Sequence, residues 1–170
     1  MTHTERAMPP LNADERTNLK SWLGFYRATV ALKCEGLADE QVRESCVPPP
    51  SLTLLGLVQH LTEVERNWFR RVLAAEDAPP THPARAGSGG HAGGFEVSAG
   101  ASFTQTLAAW REEVALSRAN CAVRALEDTV PFMGGEVSLR WIYTHMIGEY
   151  ARHSGHADLL RERIDGSTGV

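Results

Sequence analysis

The densest group of side chains able to bind a metal lies near the C-terminus, in the segment THMIGEYARHSGHADLLRE. The group consists of His145, Glu149, His153 and His156. If the segment is helical, side chains three or four residues apart share a face, so each neighbouring pair could bind one ion. His145 and His153 could not share an ion, because eight residues of helix rise about 12 Å.

Helical phase favours the pair Glu149 and His153. When the residues of this segment are projected around a helix axis at 100° per residue, His153 falls near the centre of the apolar, buried face. Glu149 lies roughly 60° from that centre. His156 and His145 fall progressively further out. A cation would stabilise a buried carboxylate beside a buried imidazole. A simple salt-linked Glu–His pair on a helix is the alternative interpretation.

A third ligand should come from another helix, and His60 in LVQHLTEVERNWF is the candidate. It lies on the flank of its apolar stripe, roughly 120° from the centre, so a solvated or hydrogen-bonded histidine is the alternative. Two imidazoles and one carboxylate with open positions suit catalytic zinc, iron(II) or another first-row divalent ion. Such an ion lowers the pKa of a bound water or thiol and supplies a nucleophile at neutral pH.

Four further side chains are candidates for a role near such a site. Glu65 falls inside an apolar stripe and could accept a hydrogen bond from a ligand histidine, act as an acid or base, or pair with a buried arginine; we favour the ion pair. His156 could be an outer partner of the ligands or a proton shuttle. Arg152 and Arg161 could bind carboxylates of a substrate or cofactor, although solvated helix charges are the simpler interpretation.

Four long segments with helical periodicity must position these residues. They span Ala13–Glu35, Leu52–Ala75, Phe103–Leu126 and Leu139–Ile164. Their expected N-caps are Asn12, Ser51, Ser102 and Ser138. Between the second and third helices, residues 77–101 are rich in Pro, Gly, Ser and Ala and contain His82 and His91, which have no ligand spacing. No alternating strand pattern is evident, so we expect an all-α four-helix bundle with a long crossover between its second and third helices.

Length and charge limit the classes of function. The chain has 170 residues, which suits a single domain over 1–170 with a core over about 12–166. A net charge of −4 argues against a nucleic-acid-binding protein. No apolar run is long enough for a membrane span, and the polar N-terminus lacks a signal core, so we expect a cytoplasmic protein. The three cysteines, Cys34, Cys46 and Cys121, are far apart in the sequence and odd in number, so we expect buried free thiols.

Taken together, these features resemble the DinB-like superfamily of metal-binding four-helix bundles. The resemblance rests on a histidine in the second helix, a long crossover, and a ligand pair four residues apart in the last helix. The stretches KCEGL, GLVQHLTEVERNWFRRVL and HMIGEYARHSGHADLLRERIDG are similar to the branch that contains the actinobacterial mini-circle protein relatives and the mycothiol-dependent maleylpyruvate isomerases. The likeness covers about residues 12–166.

The resemblance implies a three-ligand site at His60, Glu149 and His153. Glu149 replaces the histidine of many DinB-like proteins, so the metal stays open: zinc is favoured, with nickel or iron as alternatives. The implied activity is a metal-dependent S-transferase or isomerase that uses a mycothiol-type thiol and a small electrophile. A homodimer is implied as well. Two other functions remain open, a non-catalytic stress protein that binds a metal or small molecule, and a metallohydrolase.

Overall fold

The computed structural model describes residues 5–45, 52–82 and 94–169, and these residues are mostly helical. The helices are α1 (Glu15–Cys34), α2 (Asp39–Val42), α3 (Leu54–Glu65), α4 (Phe103–Ala122) and α5 (Leu139–Asp165), with a π-helical extension of α3 over Arg66–Val72. Two short strands, β1 (Thr129–Phe132) and β2 (Gly135–Ser138), lie between α4 and α5. The expected all-α class is therefore confirmed, with a small added sheet.

The helices α1 and α3 each begin two residues later than predicted. Asp14, not Asn12, accepts a hydrogen bond from the backbone N–H of Thr17 at 2.9 Å. Thr53 caps α3, whereas the predicted cap Ser51 lies outside the described residues. In both cases the capping oxygen belongs to the residue that directly precedes the first helical turn, as capping geometry requires.

The other helix ends follow the sequence signals. Ser102 accepts from the backbone of Gln105 and Ser138 from that of Trp141, so the predicted caps of α4 and α5 are confirmed. Gly166 takes the left-handed conformation, with φ of 76°, directly after α5. A glycine is favoured there because a Cβ would strain this conformation.

The helix α3 lies in the interior of the described structure. It packs against α4 and α5, and α5 also packs along α1. All residues of α3 except Val64 are buried. The flank position of His60 on its apolar stripe therefore does not expose it, because neighbouring elements cover that flank as well.

Beyond α3 the chain departs from the continuous helix predicted for Leu52–Ala75. Its last part, Arg66–Val72, is π-helical. Arg66 and Arg70 both form ion pairs with Glu113 of α4. These contacts tie the extension to α4, and hydrophobic periodicity does not reveal them because they involve polar side chains of a distant segment.

The β-hairpin was missed by the sequence analysis. Strands β1 and β2 pair antiparallel, with Phe132 opposite Gly135. The two residues between them, Met133 and Gly134, have φ of 50° and 82°. This two-residue turn with positive φ matches the twist of a hairpin. The Gly134–Gly135 pair was interpreted only as a break before the last helix.

The connection between the π-helical extension and α4 is described at its two ends, and both are non-helical. Its middle, residues 83–93 with His91, lies outside the described residues. Cys34 and Cys121 are buried thiols, as expected, and Cys46 lies outside the described residues. None of the helices in the described ranges combines the length and apolar character needed to cross a bilayer.

Candidate metal centre

Helices α3 and α5 bring the three predicted ligands together. One ligand atom from each of His60, Glu149 and His153 lies within 4.8 Å of the others. The histidines are buried, with 4% and 7% of their surface exposed, and Glu149 is partly buried. Because zinc–ligand bonds of about 2.1 Å place neighbouring ligand atoms about 3.4 Å apart, small side-chain movements would bring these atoms around one ion. The donor set therefore fits a divalent metal.

Glu149 divides its two carboxylate oxygens between two neighbours. Its Oε1 accepts a hydrogen bond from Arg152 Nη1 at 3.0 Å. Its Oε2 lies 3.6 Å from His153 Nε2, across one turn of α5. Arg152 thus orients the carboxylate while one oxygen remains directed at the imidazole.

The surroundings of His153 favour its neutral form. Burial, followed by the nearby His60 and His156, lowers the pKa of His153 to about 3. The ring is therefore uncharged at neutral pH, which is the form that binds metals. While Nε2 faces Glu149, Nδ1 lies 3.3 Å from Nδ1 of His156. His156 thus contacts the candidate ligand His153 on the side away from Glu149.

His60 is covered by a residue that sequence reasoning missed. Its ring stacks on Phe95, with centroids 4.2 Å apart, and meets the ring of His153 at 4.7 Å. The chain can approach so closely because residue 94 is glycine: a Cβ on Gly94 would lie 2.4 Å from the backbone nitrogen of His60. The only sequence signal was a lone aromatic residue after a glycine pair in the long connection.

Glu65 is placed in a buried network rather than in the ligand cluster. Arg27 donates to both of its oxygens, at 2.8 and 2.7 Å. Tyr150 donates to Oε1 at 2.7 Å and accepts from Trp110 Nε1 at 2.9 Å. The ion pair raises the pKa of Arg27 despite its burial. This geometry matches the structural ion pair that was favoured, although the sequence did not identify Arg27 as the partner.

Of the two candidate arginines, only Arg152 lies at the cluster. Arg161 Nη1 donates to the carbonyl oxygens of Lys33 at 3.1 Å and Glu35 at 2.8 Å. It therefore satisfies carbonyls at the C-terminal end of α1. Along α5 it lies roughly 18 Å from Glu149.

His145, the remaining histidine of the α5 group, has different surroundings. Its ring stacks on Trp141, with centroids 5.0 Å apart and planes 8° apart, and lies 4.5 Å from the ring of Trp68. Burial lowers the pKa of His145. The structure thus brings together Glu149 and His153, the pair that helical phase favours, with His60, and leaves His145 between Trp141 and Trp68.

A cavity of about 540 Å³ is lined by Gln59 and by Gly94, which lies against the backbone of His60. Gln59, Thr81, His82, Gln105 and Thr106 contribute polar side chains to its wall. The Oε1 atom of Gln59 is buried and has no hydrogen-bond partner among the described residues. Because buried amides are normally satisfied, this atom indicates a place for water or a ligand group.

Comparison with known proteins assigns the chain to a family. A family model described as mycothiol S-transferase matches residues 18–166. No curated protein and no solved structure shows significant similarity to the chain. The match covers most of the sequence and includes all three clustered ligands. The chain therefore belongs to the mycothiol S-transferase family, within the DinB-like superfamily.

Proposed function

We propose that this protein is a metal-dependent transferase that joins a mycothiol-type thiol to a small electrophile. The observation that carries the proposal is the convergence of His60, Glu149 and His153 in a chain of the mycothiol S-transferase family. These residues would hold one divalent ion. Zinc is the first choice because two imidazoles and a carboxylate are a common catalytic zinc set; nickel and iron are the alternatives.

The proposed architecture is a DinB-like four-helix bundle in a single domain over 1–170. Its four long helices would be α1, α3 with its extension, α4 and α5, with the crossover between the second and third. Packing of α1 along α5 and of α3 along α4 supports this arrangement. A reduced thiol substrate and the thiols of Cys34 and Cys121 both suit a cytoplasmic location.

The chemistry follows from the donor set and its neighbours. When bound, a divalent ion with an open position lowers the pKa of a coordinated thiol and so supplies a thiolate at neutral pH. The chain's own contribution is to keep His153 neutral, to orient Glu149 through Arg152, and to cover His60 with Phe95. The cavity beside Gln59 would accommodate polar groups of the thiol.

The test is a transfer assay with metal-loaded protein, mycothiol and a chloroaromatic electrophile. We expect a thioether, with one chloride and one proton released per C–S bond formed, and no product after the metal is removed with a chelator. His60→Ala, Glu149→Ala and His153→Ala should each lose bound metal and activity. His145→Gln, on the same helix but outside the cluster, should keep its metal content. Equal rates with and without metal would contradict the proposal.

The same assay separates the alternative functions. Hydrolysis of a substrate without added thiol would identify a metallohydrolase. Binding of metal and thiol without turnover across a broad panel of electrophiles would identify a non-catalytic protein. Conversion of an unsaturated acid without net consumption of the thiol would identify an isomerase.

Under the transferase proposal, Gln59→Leu should raise KM for the thiol and leave the metal content unchanged.

A further inference from the structure

A second cavity lies between α1, α4 and α5, away from the candidate metal centre. Its volume is about 130 Å³, and its wall includes Arg16, Lys20, Arg27, Ser117, Arg118 and Tyr143. Along α5, Tyr143 precedes His153 by roughly 15 Å. A single water needs about one tenth of this volume, so the cavity has room for a group of several atoms.

The wall of this cavity is strongly basic. None of the described residues that line it is acidic. Arg27 is neutralised by Glu65, and Arg16 donates to backbone carbonyls at the end of α4, at 2.6 and 2.7 Å. Within the described ranges Lys20 and Arg118 have no ion-pair partner, so their charges are uncompensated there.

Ser117 gives the cavity a buried hydroxyl that needs a partner. The residue is 0% exposed, and its Oγ makes no hydrogen bond among the described residues. Buried hydroxyls are rarely left unsatisfied in folded proteins. Because Lys20 and Arg118 line the same cavity, the partner favoured for this O–H donor is an anionic oxygen.

The remaining polar side chains of the wall add no negative charge. Burial raises the pKa of Cys121, and burial together with the neighbouring Cys121 raises the pKa of Tyr143. Both groups therefore stay protonated at neutral pH, and nothing they carry would repel an anion.

We propose that this cavity binds a small tetrahedral oxyanion of the size of inorganic phosphate, held by Lys20, Arg118 and the hydroxyl of Ser117. Side chains of α1 and α4 line two sides of the cavity, and Tyr143 of α5 lines a third. The four oxygens of a tetrahedral anion can meet side chains on all three sides, whereas a planar carboxylate has only two oxygens. The proposal is independent of the metal centre.

Titration calorimetry of the full chain with inorganic phosphate at low ionic strength tests it. We expect one saturable site with a dissociation constant of about 1 mM or tighter. Sulfate should compete with phosphate for this site. Ser117→Ala should weaken binding about tenfold or more, because a hydrogen bond to a charged group is lost. The double variant Lys20→Gln/Arg118→Gln should abolish it, and added sodium chloride should weaken it.

Arg111→Gln is the matched control, since Arg111 is exposed on α4 roughly two turns before Arg118 and does not line the cavity. It should bind phosphate like the wild type. Circular dichroism and zinc content should be unchanged in every variant, since Lys20, Arg111 and Arg118 are exposed and Ser117→Ala removes only a hydroxyl that has no partner among the described residues. Phosphate binding that is absent, or equally strong in the variants, would overturn the proposal. Malonate binding as tightly as phosphate would overturn the choice of a tetrahedral anion.

Discussion

His153 directs its two ring nitrogens to different neighbours. Nε2 faces Glu149 at 3.6 Å and Nδ1 faces His156 at 3.3 Å. Only one of the two facing Nδ1 atoms can carry the shared proton, so the contact couples the tautomer of His153 to that of His156. A tautomer with the proton on Nδ1 leaves the Nε2 lone pair available to a metal.

His156→Ala is therefore expected to lower the affinity for zinc by about 10- to 100-fold, the usual effect of removing an outer partner of a ligand histidine. Competition with a chromophoric chelator measures it. His145→Ala serves as control, because His145 lies on α5 among tryptophans rather than ligands. Wild-type zinc affinity in His156→Ala would show that this contact does not orient the ligand.

Glu65 contributes to the stability of the fold through its buried ion pair with Arg27. Glu65→Ala leaves the guanidinium of Arg27 buried without its counter-charge, so we expect a loss of about 3–5 kcal/mol in the free energy of unfolding. Urea denaturation of the metal-free protein measures this loss. Glu127→Ala removes an exposed partner of Arg140 and should change stability little. If Arg27→Met/Glu65→Leu is more stable than Glu65→Ala, the cost arises from the uncompensated charge.

At the scale of elements, the long connection between α3 and α4 takes part in forming the site. At its start, Glu63 Oε1 accepts from the backbone nitrogens of Thr81 and His82, each at 2.7 Å. Towards its end, Phe95 stacks on His60. Both described ends are thus anchored on α3, and the second of them covers a ligand.

Gly94→Ala tests this arrangement. A methyl group there would collide with the backbone of α3, and the φ of 99° is itself strained for alanine. We expect Phe95 to be displaced from His60, with weaker zinc binding and a lower melting temperature. Gly100→Ala is the matched control, because its Cβ would meet nothing within 4 Å. Unchanged zinc affinity in Gly94→Ala would mean that the connection does not support the ligand.

At the scale of the whole molecule, the three proposed ligands lie on two helices that are distant in sequence. His60 lies on α3, and Glu149 and His153 lie on α5. An ion that binds only when these helices are packed together must stabilise the folded state.

We therefore expect zinc at about 100 times its dissociation constant to add about 2.7 kcal/mol to the free energy of unfolding. Thermal denaturation with zinc and with a chelator measures the difference. His60→Ala should have the same melting temperature under both conditions. A zinc-dependent increase that persists in His60→Ala would place the ion elsewhere.

Periodicity and spacing predicted the four long helices and, within the last of them, the pair Glu149 and His153. His60 was the candidate for a third ligand from another helix, and resemblance to a family pointed to the same residue. These successes share a cause: helical phase and ligand spacing are local properties, because residues three and four apart lie on one face whatever surrounds the helix. The caps Ser102 and Ser138 were predictable for the same reason.

Contacts between distant segments had no such signal. Arg27 pairs with Glu65, 38 residues away, and Tyr150 donates to Glu65 across 85 residues. Phe95 on His60 and the basic cavity beside Ser117 also depend on how helices pack. Each of these arrangements follows from which buried polar groups can satisfy each other once the core has formed, and that choice becomes visible only when the helices are assembled.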